Sequence, residues 1–324
     1  MRKNLTPNLR HRLEYALVRS VVALVGCLSW SQALGLGRGI GRLFRRLDAR
    51  HRRIVRENLR RADLGLDEAG LQRVSIACFE HFGALFCSML RLLNMEEAEI
   101  RGLLKVEGLE HYDRAMAEGK GVIALTGHFG NWEMLGLGMS LAGRPVEVIG
   151  RELDNPLLEA YLKRLRTRFG NSVIPKDGAV RESLKLLKKG KAIGFLLDQD
   201  ALGMGLFVRY FDHWASTFST AGMLADRYDL PVLPCSSHVD AKGITTVRVH
   251  PPFHIPHTGV PDRDIWVGTQ MMTAWIEAQV RQEPTQWFWM HRRFKTQPGY
   301  GNSPLPDEAW LPHYEASKRD LGLS

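Results

Sequence analysis

A chain of 324 residues with 44% hydrophobic content can bury a sizeable core in one large domain or two, and it is too apolar to be disordered. Its four cysteines, Cys27, Cys78, Cys87 and Cys235, form no CxxC pair, which excludes a disulfide framework or a zinc ribbon and fits a reducing compartment. The net charge of +9 is unevenly placed. Residues 1–61 hold 15 Lys and Arg against Glu14, Asp48 and Glu57, while the rest of the chain is slightly acidic, so the amino-terminal end is built to meet an anionic surface.

Between the two basic clusters runs Ser20 to Gly37, 18 residues without a charge. That is the low end of the roughly 17 to 25 needed to span a bilayer. Ser29, Ser31 and Gln32 weaken it as a span, and an amphipathic or shallowly inserted helix gripping anionic headgroups is an equally good reading. Arg-rich sequence follows at once, which disfavours a cleaved signal peptide. The apolar interruption also disfavours a nucleic-acid arm. We therefore expect a membrane-associating segment at 1–61 and an α/β domain at 62–324.

Residues 54–100 read as helical packing, with Ile54, Val55, Leu59, Leu71, Val74, Phe79, Phe82 and Leu85 at three-and-four spacing. His81 within it reads as a structural histidine. From Gly119-Lys120 onward, short β-rich runs alternate with amphipathic ones. Strands are expected at 121–126, 146–149, 172–175, 192–197, 231–237 and 244–250, with helices at 132–141, 156–168, 178–189, 217–228 and 263–282. This alternation predicts an α/β fold, a mixed and mostly parallel sheet flanked by helices.

The chemistry is concentrated at Gly121 to Leu137, a strand, a tight loop and a helix. His128 falls at the carboxyl end of the strand, where open α/β sheets place ligands. Asn131 is the expected N-cap, and Glu133 lies in the first helical turn, where an acid is favoured by unpaired amides. On one continuous helix His128 and Glu133 would splay by about 140°. Gly130 supplies the turn that lets them face each other. A carboxylate against an imidazole fixes its tautomer and stabilises the imidazolium, so His128 reads as a general base oriented by Glu133. No GxSxG appears and no cysteine adjoins the motif, so the nucleophile is expected from the substrate.

His128-Phe-Gly-Asn-Trp-Glu133 resembles the HX4(D/E) signature of the bacterial lipid A biosynthesis acyltransferases. Three further blocks are similar to that family in the same order. Arg151 to Pro156 matches its Arg-x-x-x-Asn-Pro, Asp198-Gln199-Asp200 its Asp-x-Asp after a buried strand, and Trp287 to Lys295 its carboxyl-terminal Trp-x-x-His-Arg-Arg-x-Lys. A block at Phe207 to Thr217 departs from the family pattern, with Arg209 for the usual proline and Asp212 for the usual glycine.

The resemblance implies a glycerol-3-phosphate-acyltransferase-like fold and O-acyl transfer without a cofactor or a required metal. It implies an acyl carrier protein, or acyl-CoA, as donor and an anionic glycolipid, a lipid A precursor, as acceptor. It also places the protein on the cytoplasmic face of the inner membrane, with no nucleic-acid partner. Arg151, Asn131, Asp198 and Asp200 are the expected substrate-binding residues. For the aromatic and basic Trp287–Lys295 block, the family context favours a membrane interface. The basic run Lys163, Arg164, Arg166 and Arg168 reads as a solvated face or a dock for an acidic carrier. His250, His254 and His257 lie in a Pro-rich loop rather than a zinc site. Two readings from other classes remain open, a membrane-bound hydrolase using the same His128 and Glu133 and a non-catalytic lipid-binding protein. So does an acyltransferase acting on another glycolipid or an aminolipid.

Overall fold

The computed structural model describes residues 7–150, 153–175, 177–299 and 305–321. Four helices come first, α1 (Leu9–Gly26), α2 (Trp30–Leu47), α3 (Ala49–Ala62) and α4 (Glu68–Leu92). An alternating series follows: α5 (Glu97–Arg101), β1 (Leu104–Glu107), α6 (Leu109–Ala117), β2 (Val122–Thr126), α7 (Trp132–Leu141), β3 (Glu147–Gly150), α8 (Pro156–Thr167), β4 (Val173–Pro175), α9 (Ala179–Leu187) and β5 (Ala192–Leu196). A hairpin of β6 (Leu206–Tyr210) and β7 (His213–Thr217) leads to α10 (Thr220–Tyr228), β8 (Val232–Val239), β9 (Thr245–Val249), α11 (Pro261–Gln282) and α12 (Leu311–Asp320).

Seven strands form one sheet in the order β1-β9-β8-β2-β5-β3-β4. Every neighbouring pair is parallel except β8 and β9. This is the mixed, mostly parallel sheet flanked by helices that the alternation predicts, and each expected strand and helix is present with ends within three residues. β1 escaped the pattern because Leu-Lys-Val-Glu is too short to show a period. The central β2 is buried along its whole length, and the main core behind it gathers Ile123, Leu125, Phe195, Trp275, Trp287 and Trp289.

The uncharged stretch from residue 20 to 37 is not one helix. α1 stops at Gly26, and α2 restarts at Trp30 under a capping box in which Ser29 and Gln32 exchange side-chain and backbone bonds. The polar residues that weakened this stretch as a span are the ones that break it. α2 then crosses α4 backbone to backbone, since a β-carbon on Gly37 or Gly41 would overlap the carbonyl oxygens of Gly83 and Phe79. The expected boundary at residue 61 falls inside α3, whose Val55, Leu59 and Ala62 belong to the main core.

The outer faces of the first two helices stay uncovered. Leu9, Leu13, Leu17 and Leu24 on α1, and Leu36, Ile40, Leu43 and Leu47 on α2, are exposed. Among the described helices α4 has the length and composition to cross a membrane, but half of that apolar window is buried inside the protein.

Candidate active site

β2 ends at Thr126 and the chain crosses the carboxyl edge of the sheet as Gly127-His128-Phe129-Gly130 before α7 begins. Asn131 caps that helix, its Oδ1 accepting from the Met134 amide at 3.0 Å. Gly130 takes φ +58°, and a β-carbon there would overlap the Ser237 carbonyl oxygen, so the turn needs glycine for both reasons. The loop is tied on several sides. Gly130 N–H donates to the Gln286 carbonyl and Phe288 N–H to the His128 carbonyl, both at 3.0 Å. Ser237 Oγ accepts from the Asn131 amide at 3.1 Å and donates to the Phe129 carbonyl at 3.2 Å. From α4, His81 Nε2 donates to the Gly130 carbonyl at 2.9 Å, and burial pulls this imidazole down to about 4, so it is neutral at pH 7. His81 is thus a structural histidine that supports the loop.

His128 is held by Asp198. The carboxylate at the end of β5 accepts from His128 Nδ1 at 2.7 Å through one oxygen; the other accepts from the His128 amide at 2.6 Å and from Trp287 Nε1 at 2.8 Å. Burial pushes the Asp198 carboxyl up, but the His128 charge beside it, with the His128 and Trp287 hydrogen bonds, outweighs this and brings it to about 2. With Nδ1–H committed to a buried anion, the lone pair lies on Nε2. That nitrogen has Gln199 Nε2 at 3.3 Å as its polar neighbour, and the side chain keeps 20% of its surface exposed.

The expected orienting partner is therefore corrected: Asp198, not Glu133, takes the His128 ring. Glu133 turns instead to α8, where Arg166 Nε and Nη2 clamp its two oxygens at 3.0 and 2.5 Å. The reason is geometric. Asn131 starts the helix at Trp132, so Glu133 lies a full residue inside α7 and points along the helix flank, while Asp198 reaches His128 from the adjacent parallel strand.

Burial pulls the Arg166 guanidinium down, but the Glu133 bonds and charge outweigh it and leave its pKa raised. This also changes the reading of the basic helix. Arg166 is consumed by Glu133, while Lys163, Arg164 and Arg168 stay exposed, Arg168 also donating to the Met95 carbonyl at 2.6 Å.

Asp198 and Asp200 both spend their oxygens on the protein. Asp200 accepts from the Leu202 amide at 2.6 Å and from the amide and hydroxyl of Thr296 at 2.8 Å each, pinning the carboxyl-terminal loop. Asn131 is likewise committed as a cap. Arg151 lies outside the described residues.

The Trp287–Lys295 block is mostly interior, although Arg292 and Lys295 remain exposed. Trp287, Trp289 and Arg293 are among the most deeply buried side chains of the molecule. Trp287 pairs with Phe129 in a β-bridge, and Arg293 reaches the Ser216 carbonyl at 2.6 Å and Thr217 Oγ1 at 2.5 Å. The membrane-interface reading is overturned for Trp287, Trp289 and Arg293 by this packing: they are the floor of the site and the clamp on the β6–β7 hairpin. In that hairpin Phe211 and Asp212 both have positive φ, as a two-residue type I′ connection requires, so Asp212 occupies a conformation in which glycine is easiest. Arg209 N–H bonds Gln270 Oε1 at 2.6 Å, a bond no proline could make, and its guanidinium lies 3.9 Å from the centroid of Trp214.

Beside His128 rises an aromatic wall. Trp132 meets the imidazole edge to face at 5.2 Å, Phe82 of α4 packs on Trp132 at 6.0 Å, and Phe288 on Phe82 at 5.0 Å. The α7 amides of Trp132 and Glu133 have no partner among the described residues. As the first two residues of α7 they make no intrahelical bond, the feature by which helix N-termini receive negative charge. The three histidines beyond the sheet do not join this site. His250 bonds Ser236 Oγ and is pulled to about 4, chiefly by burial, while His254 and His257 meet Glu118, Asp226 and Asp229 at the other end of the sheet.

The chain is 27% identical over 284 residues to the lipid A biosynthesis lauroyltransferase of Escherichia coli K12, covering 86% of this chain and 90% of that one. It is 28% identical to the lipid A biosynthesis palmitoleoyltransferase of the same organism, covering 83% and 87%. A phosphatidylinositol mannoside acyltransferase of Mycobacterium tuberculosis aligns at 25% identity over 48% of this chain and 52% of its own length. The family model for bacterial lipid A biosynthesis acyltransferases matches residues 2–296. The chain belongs to that family of acyltransferases.

Proposed function

We propose that the protein transfers a fatty acyl group from a carrier thioester to a hydroxyl of an anionic membrane glycolipid, a lipid A precursor, at the cytoplasmic face of the inner membrane. The observation that carries the reading is the His128–Asp198 pair: a base with one nitrogen held by a buried carboxylate and the other turned to a partly open surface. The acceptor hydroxyl displaces Gln199 from Nε2 and gives its proton to His128. Asp198 stays ionised and stabilises the imidazolium. The hydroxyl oxygen attacks the thioester carbonyl as the π bond moves onto oxygen, and the Trp132 and Glu133 amides receive that oxyanion. Collapse expels the thiolate, which takes the proton back from Nε2. No acyl-enzyme forms.

Glu133 has a different part in this scheme. Its ion pair with Arg166 fixes the first turn of α7, and with it the two oxyanion amides, against α8. Arg151, next in the chain to the strand end where Arg166 passes near Gly150, is proposed to contact the donor's or acceptor's phosphate. The donor proposed is an acyl-acyl carrier protein. The exposed leucine stripes of α1 and α2, interleaved with Arg10, Arg12, Arg19, Arg42 and Arg46, suit an amphipathic surface lying on anionic lipid.

The test is mass spectrometry of detergent-solubilised reactions containing acyl-carrier donors and a lipid A precursor. One acyl increment on the precursor, absent with His128→Ala, is the expected result. Donor consumption without that increment would instead make the protein a hydrolase. The partial match to a phosphatidylinositol mannoside acyltransferase, together with the divergent Arg209 and Asp212 hairpin, favours including a second glycolipid acceptor in the same assay.

A further inference from the structure

Away from His128, α3, α4 and the last turn of α2 line an open cavity of about 430 Å³. Its wall carries four guanidinium groups, Arg45, Arg52, Arg53 and Arg56, against a single carboxylate, Glu68. That carboxylate is already committed to Arg56 at 2.6 Å and to Arg60 at 3.0 Å. Arg53 is shared loosely with Glu57 at 3.6 Å. Among the described residues Arg45 has only Ser75 Oγ at 3.4 Å, and Arg52 spends one nitrogen on the Arg45 and Arg46 carbonyls that close α2. Arg45 and Arg52 are therefore half-buried like charges without a carboxylate between them. Desolvation, followed by the neighbouring Arg52 charge, depresses the Arg45 pKa, the direction an anion in the cavity would reverse.

Such a set of donors suits a dianionic phosphate, which accepts several charge-assisted bonds at once. Its source follows from the helix. Leu36, Ile40, Leu43 and Leu47 form the exposed stripe of α2, whereas Ala33, Leu34, Gly37 and Gly41 face inward, and Arg45 continues that inward side. With the leucine stripe resting on the acyl boundary, Arg45 stands about one helix diameter above it, roughly 10 Å. That is the height of a sugar headgroup rather than of acyl chains. We propose that this cavity binds the phosphomonoester of a membrane phosphoglycolipid.

The proposal rests on the lipid-acceptor reading above but is tested by binding alone, so its failure leaves the acyl-transfer assay untouched. The full chain in detergent is titrated with a monoacylated glucosamine lipid bearing a phosphomonoester on the sugar, and with the same lipid lacking the phosphate. We expect the phosphorylated lipid to bind about tenfold tighter, in line with one or two charge-assisted bonds. Arg45→Gln and Arg53→Gln should each remove most of that preference, while Arg50→Gln, on the exposed start of α3, keeps it. Thermal melting of each variant confirms the fold. An unchanged preference in folded Arg45→Gln and Arg53→Gln, or equal losses in all three variants, overturns the site. Inorganic phosphate that erases the preference at the same concentration as the lipid reassigns the cavity to a soluble anion. Loss of acidic carrier-protein binding in these variants, with lipid binding intact, overturns the lipid assignment in favour of the carrier.

Discussion

Two buried carboxylates flank the same loop and do opposite work. Asp198 faces His128 across one strand spacing and spends its charge on a group at the edge of solvent; Glu133, five residues from His128 in the chain, spends its charge on Arg166 inside the scaffold. Both are nearly inaccessible, at 2% and 8% exposure. What separates them is the partner: an imidazole that can gain and lose a proton, or a guanidinium that never does. Proximity in sequence therefore identified the loop but chose the wrong acid for the His128 ring.

The largest effect should come from the proton-carrying side of this comparison. His128→Ala removes the proposed base, and acyl transfer measured by product mass should fall by about 10⁴-fold, the upper range for a positioned general base. Melting temperature should also fall, because the buried Asp198 carboxylate loses its imidazole partner, so turnover is compared at a temperature where the variant is fully folded. A variant retaining more than a tenth of native turnover would remove His128 from the chemistry.

Asp198→Asn comes next. The asparagine keeps the shape but offers no charge to the imidazolium, and its amide can present a donor where Nδ1–H needs an acceptor. Activity should drop by about 10²- to 10³-fold with acceptor KM little changed. A drop confined to KM would mean that Asp198 binds substrate after all. Stability should also shift with pH. The folded Asp198 carboxyl sits at about 2 against an ordinary 3.8, so its ionised form stabilises the fold above pH 4, and this contribution, roughly 2 kcal/mol, is lost as pH falls toward 2.

How far the chain itself announced this arrangement differs by element. The strand ends, the Asn131 cap and the Pro156 helix start were legible because periodicity, capping and proline geometry are local. His128 was legible because its loop interrupts two strong patterns. The Asp198 contact was not, because it depends on β5 lying beside β2, a pairing across 70 residues that no local signal encodes. The Trp287–Lys295 block misled for the same reason. Aromatics mixed with cations look like an interface until their long-range partners, Phe129 and Ser216, are known. In α1 and α2 the reverse held: Ser29 and Gln32 carried a capping box in plain sight, and hydropathy alone obscured it.

The Glu133–Arg166 pair supplies the contrasting test. Glu133→Ala leaves a largely buried guanidinium without its anion and should cost roughly 3 kcal/mol in chemical denaturation. Pairing it with Arg166→Met should restore most of that stability. If Glu133 acts only as scaffold, activity returns with stability in the double variant. If stability returns while turnover stays low, Glu133 contributes to the reaction beyond holding α7.

The smallest effect at neutral pH, and the one that separates scaffold from chemistry most cleanly, comes from two neutral histidines behind the loop. His81 and His291 are both pulled to about 4, chiefly by burial, against an ordinary 6.5. His81 donates to the Gly130 carbonyl, and His291 Nε2 accepts from the Asp200 amide, so a proton on His291 would face a donor. Their folded pKa values lie below the unfolded ones. The unfolded chain therefore takes up protons first as pH drops, and stability falls between about pH 6.5 and 4, with His250 adding to the same slope, while remaining flat above 7. The loss should reach a few kcal/mol by pH 4, before Asp198 begins to titrate. His291→Gln should flatten part of this slope without altering the stability change below pH 4, to which Asp198 and other paired carboxylates contribute. A native melting temperature that stays constant from pH 7 to pH 4 would show that neither ring is held neutral, and that the loop carrying His128 does not depend on them.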